Sequence, residues 1–358
     1  MILRFAQDDD QTRMNFAHLE EFLKSIGEKP FRLKQVRHAV FTELVSNWNG
    51  ATTLSKPLRD QLTATIPFTS LELVRESKSS RGDTIKAMFK LADGNMIETV
   101  LMRHDRDRNT VCVSSQAGCA MKCAFCATGK LGFKRNLTTE EIVDQVMHFA
   151  RYLGKEQKRV SNIVVMGMGE PMANYENMIG ALRFLNAEET LNISARKMTV
   201  STCGIVPGIL RLADEPMQLN LAISLHAPTE EIRSQIMPVN KAYPLEKLMA
   251  AVHEYVAKTN RKVLFEYVML EGVNDTPACA VALAKLMNHP LFQVNLIKYH
   301  STGVFTPTEE QHRLQFKAKL EDLGCVVTHR VTFGEDIDAA CGQLANKNMP
   351  HPVSPSSS

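Results

Sequence analysis

Three cysteines packed into eight residues are the part of this sequence whose spacing points most directly to chemistry. Cys119, Cys123 and Cys126 follow a C-x3-C-x2-C pattern in a chain of 358 residues. Short runs of this kind surround iron–sulfur clusters, because each thiolate must reach a different iron from one compact loop. Three ligands leave one iron of a [4Fe–4S] cluster without a protein ligand, and a substrate or cofactor can bind there. The spacing therefore predicts a cluster that takes part in catalysis.

Two other interpretations of these cysteines stay open at this point. A structural zinc site usually combines two pairs of Cys or His ligands, and no second pair follows in the sequence. A chance group of buried thiols would carry no metal at all.

Composition limits the class of protein and its compartment. The hydrophobic fraction of 44% and the charged fraction of 23% are typical of a globular protein. No apolar run approaches the ~18 residues of a membrane span, and three acids at residues 8–10 do not fit a secretory signal. Eight cysteines are too few for a disulfide scaffold. We therefore expect a soluble monomer in the cytoplasm, without membrane contact.

The overall charge says little about nucleic acids, but its clustering is informative. The formal net charge is only +3, from 42 basic and 39 acidic residues. Basic residues are grouped at 32–38, 103–108 and 130–135, on either side of the cysteine motif. Such groups occur on solvated faces and on RNA-binding surfaces alike, so both interpretations remain open.

The N-terminal part is predicted to be a small accessory domain at residues 1–100. Apolar residues at helical spacing indicate a helical unit at 14–65. Alternating residues and turns at 79–83 and 93–95 indicate strands between 70 and 102, including a hairpin.

The fold class predicted for the rest of the chain is α/β. Six short apolar runs alternate with helical stretches between about residues 110 and 300, which is typical of parallel β/α units. Six units are too few for a closed eightfold barrel, so we expect a partial (β/α)6 barrel in a core domain at residues 101–346. Function in such folds gathers at the carboxyl ends of the strands. The polar or cysteine groups expected there are Cys119–Cys126, Gly167–Pro171, Ser201–Thr202, Ser224–His226 and Asn295.

A C-terminal extension follows the sixth unit. A helix at 309–323 and a strand at 325–332 lead to a stretch of small residues around Cys341. Residues 347–358, with three Pro and four Ser, are predicted to form a disordered tail.

In combination, the motifs resemble a known family. The cysteine pattern is similar to that of the radical S-adenosylmethionine (SAM) superfamily. Four further segments resemble the radical SAM adenosine methyltransferases of ribosomal RNA, the RlmN and Cfr type: Cys112–Cys119, Gly167–Pro171, Ser224–His226 and Asp336–Leu344. The resemblance runs from about residue 15 to residue 346.

This resemblance implies a chemistry that the residues alone do not reveal. It implies that a [4Fe–4S] cluster on Cys119, Cys123 and Cys126 cleaves SAM to a radical, since an electron-poor ring carbon of adenine does not attack a methyl sulfonium. It also implies that Cys341 receives a methyl group from a first SAM and passes its carbon to adenine. It implies, finally, that Cys112 attacks the sulfur of Cys341 and so releases the product. A transient disulfide between the two cysteines remains, and thiols reduce it.

The remaining roles also come from the resemblance. Glu98 matches a base of the C2-methylating branch. The SAM-binding residues are expected to be Gly169, Glu170, Ser201, Ser224, Leu225, His226 and Asn295.

Without the resemblance, these residues have plainer interpretations. Cys112 would be an inert core thiol, Glu98 part of a solvated strand face, and His226 a satisfied polar residue at a strand end. Cys203, Cys279 and Cys325 match no catalytic position and are interpreted as packing residues.

The sequence departs from the family pattern at two places. Lys298–Ser301 follows the sixth strand where members often carry a Pro-aromatic-Asn-Pro sequence. Phe333 and Gly334 stand where the C2 branch commonly has Arg-Gly, and they are similar to the C8-methylating branch.

The hypothesis is therefore methylation of C2 of an adenosine in 23S rRNA, with tRNA as a further candidate substrate. A flavodoxin-like or ferredoxin-like electron donor and a thiol reductant would be partners. Within the class, the alternative is C8 methylation of the same nucleotide. From another class, the alternative is a noncatalytic RNA-binding protein with a structural metal.

Overall fold

A mixed sheet organises the part of the chain that the computed structural model describes, residues 16–345. The predicted tail at 347–358 and the first residues of the predicted helical unit lie outside this range. The strands are β1 (Glu72–Lys78), β2 (Thr84–Lys90), β3 (Met96–Arg103), β4 (Asn109–Cys112), β5 (Gln116–Gly118), β6 (Phe133–Asn136), β7 (Asn162–Val165), β8 (Met198–Thr202), β9 (Asn220–Ser224), β10 (Val263–Met269), β11 (Phe292–Lys298) and β12 (Val327–His329).

The helices lie mainly between the parallel strands. They are α1 (Phe16–Ser25), α2 (Phe31–Arg37), α3 (Lys56–Thr65), α4 (Ala127–Lys130), α5 (Thr139–Gly154), α6 (Tyr175–Asn186), α7 (Val206–Ala213), α8 (Glu230–Ile236), α9 (Leu245–Thr259), α10 (Pro277–Leu286) and α11 (Glu310–Asp322). None of these helices combines the length and the apolar character needed to cross a membrane.

The sheet order confirms the predicted partial barrel. Ten strands pair in the order β1-β2-β3-β4-β7-β8-β9-β10-β11-β12. In this sheet β4, β7, β8, β9, β10, β11 and β12 pair in parallel, while β1 to β4 pair antiparallel. Strands β5 and β6 form a separate antiparallel pair. Six β/α units are therefore present, and β12 adds a short seventh parallel strand. The edges at β1 and β12 do not pair with each other.

The N-terminal strands extend the barrel sheet directly. In the β3–β4 pair, Val100 lies opposite Cys112. The domain boundary predicted at residue 100 therefore falls inside β3, which continues to Arg103. The accessory strands and the parallel core share one sheet.

Helix α5 shows how local sequence fixes an element beside the site. The Thr138 hydroxyl accepts a hydrogen bond from the Glu141 amide, and the Glu141 carboxylate accepts one from the Thr138 amide. This capping box satisfies amides that an isolated helix end leaves unpaired. Apolar residues from Ile142 to Leu153 then pack into the main core.

Gln145 joins α5 to the sheet in the middle of this core. Its side chain is fully buried. Its Oε1 accepts from the Thr99 hydroxyl at 2.6 Å and from the Ser114 amide at 2.8 Å. Its Nε2 donates to the carbonyls of Ser114 at 3.0 Å and Glu141 at 3.1 Å. The amide thereby fixes Ser114, which begins the connection to the cysteine loop.

Replacing Gln145 with Leu should destabilise the protein strongly. The Thr99 hydroxyl and both backbone groups of Ser114 would lose their partner in a site without water, which costs roughly 3 kcal/mol in total. Gln311→Leu on the exposed surface of α11 is the matched control and should change the free energy of unfolding by less than about 0.5 kcal/mol. Urea denaturation of both variants measures the difference, and equal effects would contradict this assignment.

Candidate active site

A short hairpin frames the cysteine loop. Strand β5 pairs with β6, and Cys119 follows β5 directly, with its amide donating to the Gly132 carbonyl at 3.1 Å. Sequence analysis missed both strands, because three and four residues show too little alternation. The hairpin closes the loop at its base, so that the ligands between Cys119 and Cys126 project from an anchored turn.

Glycine at position 118 is required by this close approach. Gly118 has φ +72°, and a Cβ atom there would lie 1.8 Å from the Gly132 carbonyl oxygen. Gly132 has a similar φ of +69°, but a Cβ atom on it would meet nothing within 4 Å. The two positions share backbone strain and differ in available space.

The three cysteines of the loop line one cavity at the carboxyl ends of the parallel strands. The cavity contains ≈ 1210 Å³ of space, including the part open to solvent. Other predicted site residues on its wall are Cys112, Gly169, Glu170, Ser201, Ser224, His226 and Cys341. The structure thus brings ten of the thirteen predicted residues to one cavity.

The environment of these thiols favours thiolates that are bound to iron over thiolates that are free. Burial raises the pKa of Cys119 to about 12 and that of Cys123 still further above its ordinary value. A bound iron cation reverses this tendency, because a coordinating thiol is deprotonated. Met121, Phe125 and Met237 belong to an apolar group around the loop, which limits access of water.

The zinc interpretation finds no support in the arrangement of side chains. Between residues 16 and 345, no three His, Cys, Asp or Glu side chains are placed to hold one metal ion. That geometry concerns ligands that converge on a single ion, whereas each thiolate of a cluster binds its own iron. Three cysteines on one cavity wall fit the second case.

The loop after β7 is held by the buried carboxylate of Glu170. This side chain is 3% exposed and accepts hydrogen bonds from the amides of Cys203 at 2.8 Å and Met172 at 3.0 Å. Burial raises its pKa, while these bonds oppose the shift. Gly169, with φ +105°, packs so closely that a Cβ atom would lie 2.6 Å from the Cβ of Gln116. Glu170 therefore shapes the wall through hydrogen bonds from backbone amides to its carboxylate, and Gly169 shapes it through close backbone packing.

Ser201, Ser224 and His226 line the cavity at the ends of the next two strands, β8 and β9. The two hydroxyl oxygens are 3.4 Å apart. His226 has φ +54°, and its Nδ1 accepts a hydrogen bond from the Val268 amide at 3.1 Å. Burial, with a smaller contribution from the Arg233 charge, lowers the pKa of His226 to about 3. The ring is therefore neutral at pH 7.

Three predicted residues do not line the cavity. Leu225 is fully buried in the main core. Asn295 donates to Glu266 at 3.0 Å, and Glu266 itself lies on the cavity wall. Glu98 is fully buried; its Oε1 is 3.0 Å from Lys86 Nζ, and its Oε2 accepts from the Ala345 amide at 2.9 Å. The interpretation of Glu98 as part of a solvated face is therefore wrong, because the C-terminal segment covers it.

Cys112 and Cys341 meet at the cavity from distant parts of the chain. Cys112 ends β4, and burial first, then the nearby Cys341, raises its pKa to about 12. Cys341 is exposed. Its segment reaches the cysteine loop through two hydrogen bonds, from the Ala127 amide to the Gly342 carbonyl at 2.8 Å and from the Thr128 hydroxyl to the Leu344 carbonyl at 2.6 Å.

Sequence analysis missed Arg330, which lies on the same wall as both thiols. Its guanidinium is 3.4 Å from the sulfur of Met166 and 3.5 Å from Glu266. The pKa of Arg330 is raised, chiefly by Cys341 and then by Glu266 and Cys112. Its position immediately after β12 could have identified it, since the carboxyl ends of strands point to the site. Cys203, interpreted as a packing residue, also lines the cavity.

Gly118→Ala should abolish most iron binding. The added methyl group cannot fit against the Gly132 carbonyl, so Cys119 must move. Gly132→Ala should retain iron, because only left-handed backbone strain of about 1 kcal/mol is added. The contents of iron and sulfide per chain after anaerobic reconstitution, and the midpoint of thermal unfolding, are measured for both variants. Equal iron contents in the two variants would contradict the steric argument.

The His226 ring predicts an acid-sensitive stability. The unfolded chain binds a proton at this residue near pH 6.5, whereas the folded protein does so only near pH 3, so stability falls as the pH drops below about 6.5. Between pH 7 and 5 this group should cost about 2 kcal/mol. The stability of the His226→Asn variant should fall correspondingly less over this pH range, because the titrating ring is gone. The variant should still fold, since Asn tolerates the left-handed backbone and retains an acceptor for Val268.

Urea denaturation at both pH values tests this expectation. His104, His148, His300 and His329 also have lowered pKa values and act in the same direction in both proteins. Only the difference between wild type and variant therefore reports on His226, and parallel pH profiles would refute the assignment.

Comparison with known proteins agrees with this geometry. A model of the radical SAM superfamily matches residues 113–282, and a model of the ribosomal RNA large subunit methyltransferase N-terminal domain matches residues 12–67. A solved radical SAM methyltransferase from Sphaerobacter thermophilus is 45% identical and superposes with a TM-score of 0.89, over 93% of this chain and 98% of its own.

Curated relatives cover nearly the whole chain. The probable dual-specificity RNA methyltransferase RlmN of Geobacillus thermodenitrificans is 47% identical over 92% of this chain and 90% of its own length. The corresponding protein of Chloroflexus aurantiacus is 46% identical over 93% and 92%. The protein is therefore an enzyme that acts on RNA with a [4Fe–4S] cluster and SAM, and the noncatalytic alternative is wrong. The chain belongs to the RlmN family of radical SAM RNA methyltransferases.

Proposed function

We propose that this enzyme methylates C2 of an adenosine in 23S rRNA, and an adenosine of tRNA as a second substrate, through an S-methylcysteine. One observation carries the proposal: Cys341 and Cys112 share a cavity wall with the three cysteines of the loop. The relatives' description as dual-specificity enzymes supports two kinds of RNA substrate.

The lining of the cavity supports an assignment of both cofactors to it. Cys119, Cys123 and Cys126 would hold the cluster. Glu170, Ser201 and Ser224, with Gly169 and His226, would bind SAM, while Leu225 and Asn295 would support that wall from behind. When bound, the cluster donates one electron to SAM, which yields a radical able to remove a hydrogen atom.

Cys341 would carry the methyl group. Its thiol loses a proton and gains a methyl group from one SAM, and S-adenosylhomocysteine leaves. A second SAM would supply the radical, with methionine as the other fragment; this radical would take one hydrogen atom from the methyl group and leave as 5'-deoxyadenosine, so that the remaining carbon could bond to C2 of adenine. The adduct would return one electron to the cluster that had supplied it and would lose the C2 proton to Glu98, which we assign as the base. Exposure of Cys341 gives the RNA access to this carrier.

Cys112 would release the product. Its thiolate attacks the sulfur of Cys341, so that an S–S bond forms and the S–C bond breaks with its electron pair on carbon, which takes up a proton. Arg330 favours a thiolate at Cys112, because its charge opposes the effect of burial on the pKa. A thiol reductant then restores both cysteines, and a reducing cytoplasm suits this cycle.

We assign the remaining roles to the accessory part and external partners. Residues 1–100 would dock RNA, and the adenine must leave its stack to reach the cavity. A flavodoxin-like or ferredoxin-like protein would supply electrons to the monomeric enzyme.

C8 methylation is the second candidate, since Phe333 replaces the arginine common in the C2 branch. The Phe333 ring packs edge-on against His104, with centroids 4.5 Å apart. We favour C2 because the two curated relatives described above, at 46% and 47% identity, are named RlmN.

Anaerobic reconstitution with 23S rRNA, tRNA and methyl-labelled SAM should give 2-methyladenosine in both RNAs. Nuclease digestion and mass spectrometry identify the methylated carbon. Cys341→Ala should give no methylated RNA. Production of 8-methyladenosine alone would establish the second candidate.

Cys112→Ala should trap an intermediate. Without its thiol the S–C bond persists, and RNA should remain covalently attached to Cys341, detectable as a slow-migrating species on a denaturing gel. Cys279→Ala removes another buried thiol that lies outside the cavity and should leave turnover intact. Free methylated RNA from Cys112→Ala at the wild-type rate would contradict the proposed release step.

A further inference from the structure

Lys86 and Glu98 form an ion pair inside the protein. Lys86 lies opposite Val100 in the β2–β3 pair, so it shares a sheet face with Glu98 two residues earlier. The Nζ and Oε1 atoms are 3.0 Å apart, and the side chains are 10% and 0% exposed. Nothing in the proposed chemistry uses Lys86.

Both members of this pair also bind the segment that carries Cys341. Lys86 Nζ donates to the Asp338 carbonyl at 3.0 Å. Glu98 Oε2 accepts from the Ala345 amide at 2.9 Å. These two contacts stand three residues before Cys341 and four residues after it. The pair therefore grips the segment on either side of the reactive thiol.

We propose that Lys86 is a positioning residue and that the Lys86–Glu98 pair is a clamp that holds Cys341 beside Cys112 and the cysteine loop. The role of Cys341 rests on the proposed function; the clamp itself does not.

Because Lys86 and Glu98 carry opposite charges, the contact at Asp338 and the contact at Ala345 depend on each other. An ammonium group has three donors and no acceptor, so Lys86 can serve the carboxylate and the Asp338 carbonyl at the same time. A buried carboxylate is tolerable when it is paired and hydrogen-bonded. Removing Lys86 leaves Glu98 without its cation, so the grip at Ala345 weakens together with the grip at Asp338.

Other contacts also hold the segment, so losing the clamp should not unfold it. The Ser80 amide donates to Asp336 at 2.7 Å, and α4 binds the carbonyls of Gly342 and Leu344. Of these, the Ser80 contact precedes the clamp, and the α4 contacts lie inside it. We therefore expect a displaced thiol in an otherwise folded protein.

The test compares Lys86→Met and Lys86→Arg with a matched control, Lys90→Met. Lys90 lies on the same face of β2 and pairs with Glu72 across the same sheet, at 3.6 Å and in solvent. Hydrogen exchange of the peptide at residues 334–345 and alkylation of Cys341 by iodoacetamide are measured without SAM, RNA or cluster. Exchange in β3 reports whether each variant is folded.

Lys86→Met should speed hydrogen exchange in residues 338–345 about tenfold and change the alkylation rate of Cys341, with β3 still protected. With the reconstituted enzyme, RNA methylation at saturating RNA should fall about tenfold, with little change in the KM for RNA. Lys86→Arg should recover most of both effects, and Lys90→Met should resemble wild type.

Unchanged exchange and alkylation in a folded Lys86→Met variant would overturn the clamp. So would equal effects of Lys86→Met and Lys90→Met. If Lys86→Met does not fold, Lys86→Gln, which retains a donor but no charge, is judged by the same two measurements. Absence of adenine methylation in the wild type would refute the proposed function and leave these measurements intact.

Discussion

Backbone hydrogen bonds between β3 and β4 place Val100 opposite Cys112 and join the N-terminal strands to the parallel sheet. This antiparallel pairing decides which side chains can meet at the cavity. Because residues two apart on a strand share a face, Glu98, Val100 and Met102 all belong to the face that looks toward the C-terminal segment. A one-residue slip would turn Glu98 away and separate it from Lys86 and Ala345. Gln145 stabilises this register from the helix side, because its side chain accepts hydrogen bonds from Thr99 and Ser114.

Burial then sets the electrostatic character of the cavity. The thiols of Cys112, Cys119 and Cys123 all have raised pKa values for the same reason, loss of water. Their chemistry nevertheless needs thiolates, so each must be supplied with a positive charge. We propose that this charge is iron for Cys119 and Cys123, whereas for Cys112 it is the guanidinium of Arg330. The same buried environment would thus suit cysteines that bind a cluster and a cysteine that releases the product, which differ in the cation that lies near them.

The sequence predicted the site best where its residues follow strands. The rule that function gathers at the carboxyl ends of parallel strands brought Ser201, Ser224 and the cysteine loop together before any coordinates. It failed for groups whose environment depends on distant segments. Glu98 alternates like a surface residue, yet it is fully buried and bonds to Ala345, which returns to it from the far end of the sequence. Arg330 directly follows β12, where the same rule could have found it, but nothing local shows that it lies 3.5 Å from Glu266, 64 residues away in sequence.

The contrast between an exposed Cys341 and a buried Cys112 follows from the order of events that the two thiols would serve. A carrier must receive a methyl group at the cofactor and then meet a bulky RNA, so it belongs on an accessible segment. A releasing thiol must not be methylated or oxidised beforehand, and burial protects it, because the effect of burial outweighs the opposing charge of Arg330 and keeps the pKa of Cys112 raised. The accessible thiol cannot be left on a free segment, however, since a displacement of about 1 Å at a reacting atom can cost roughly 100-fold in rate. Contacts on both sides of Cys341, at Asp338 and Ala345, reconcile access with position. They hold the backbone of the segment and leave Cys341 an exposed residue.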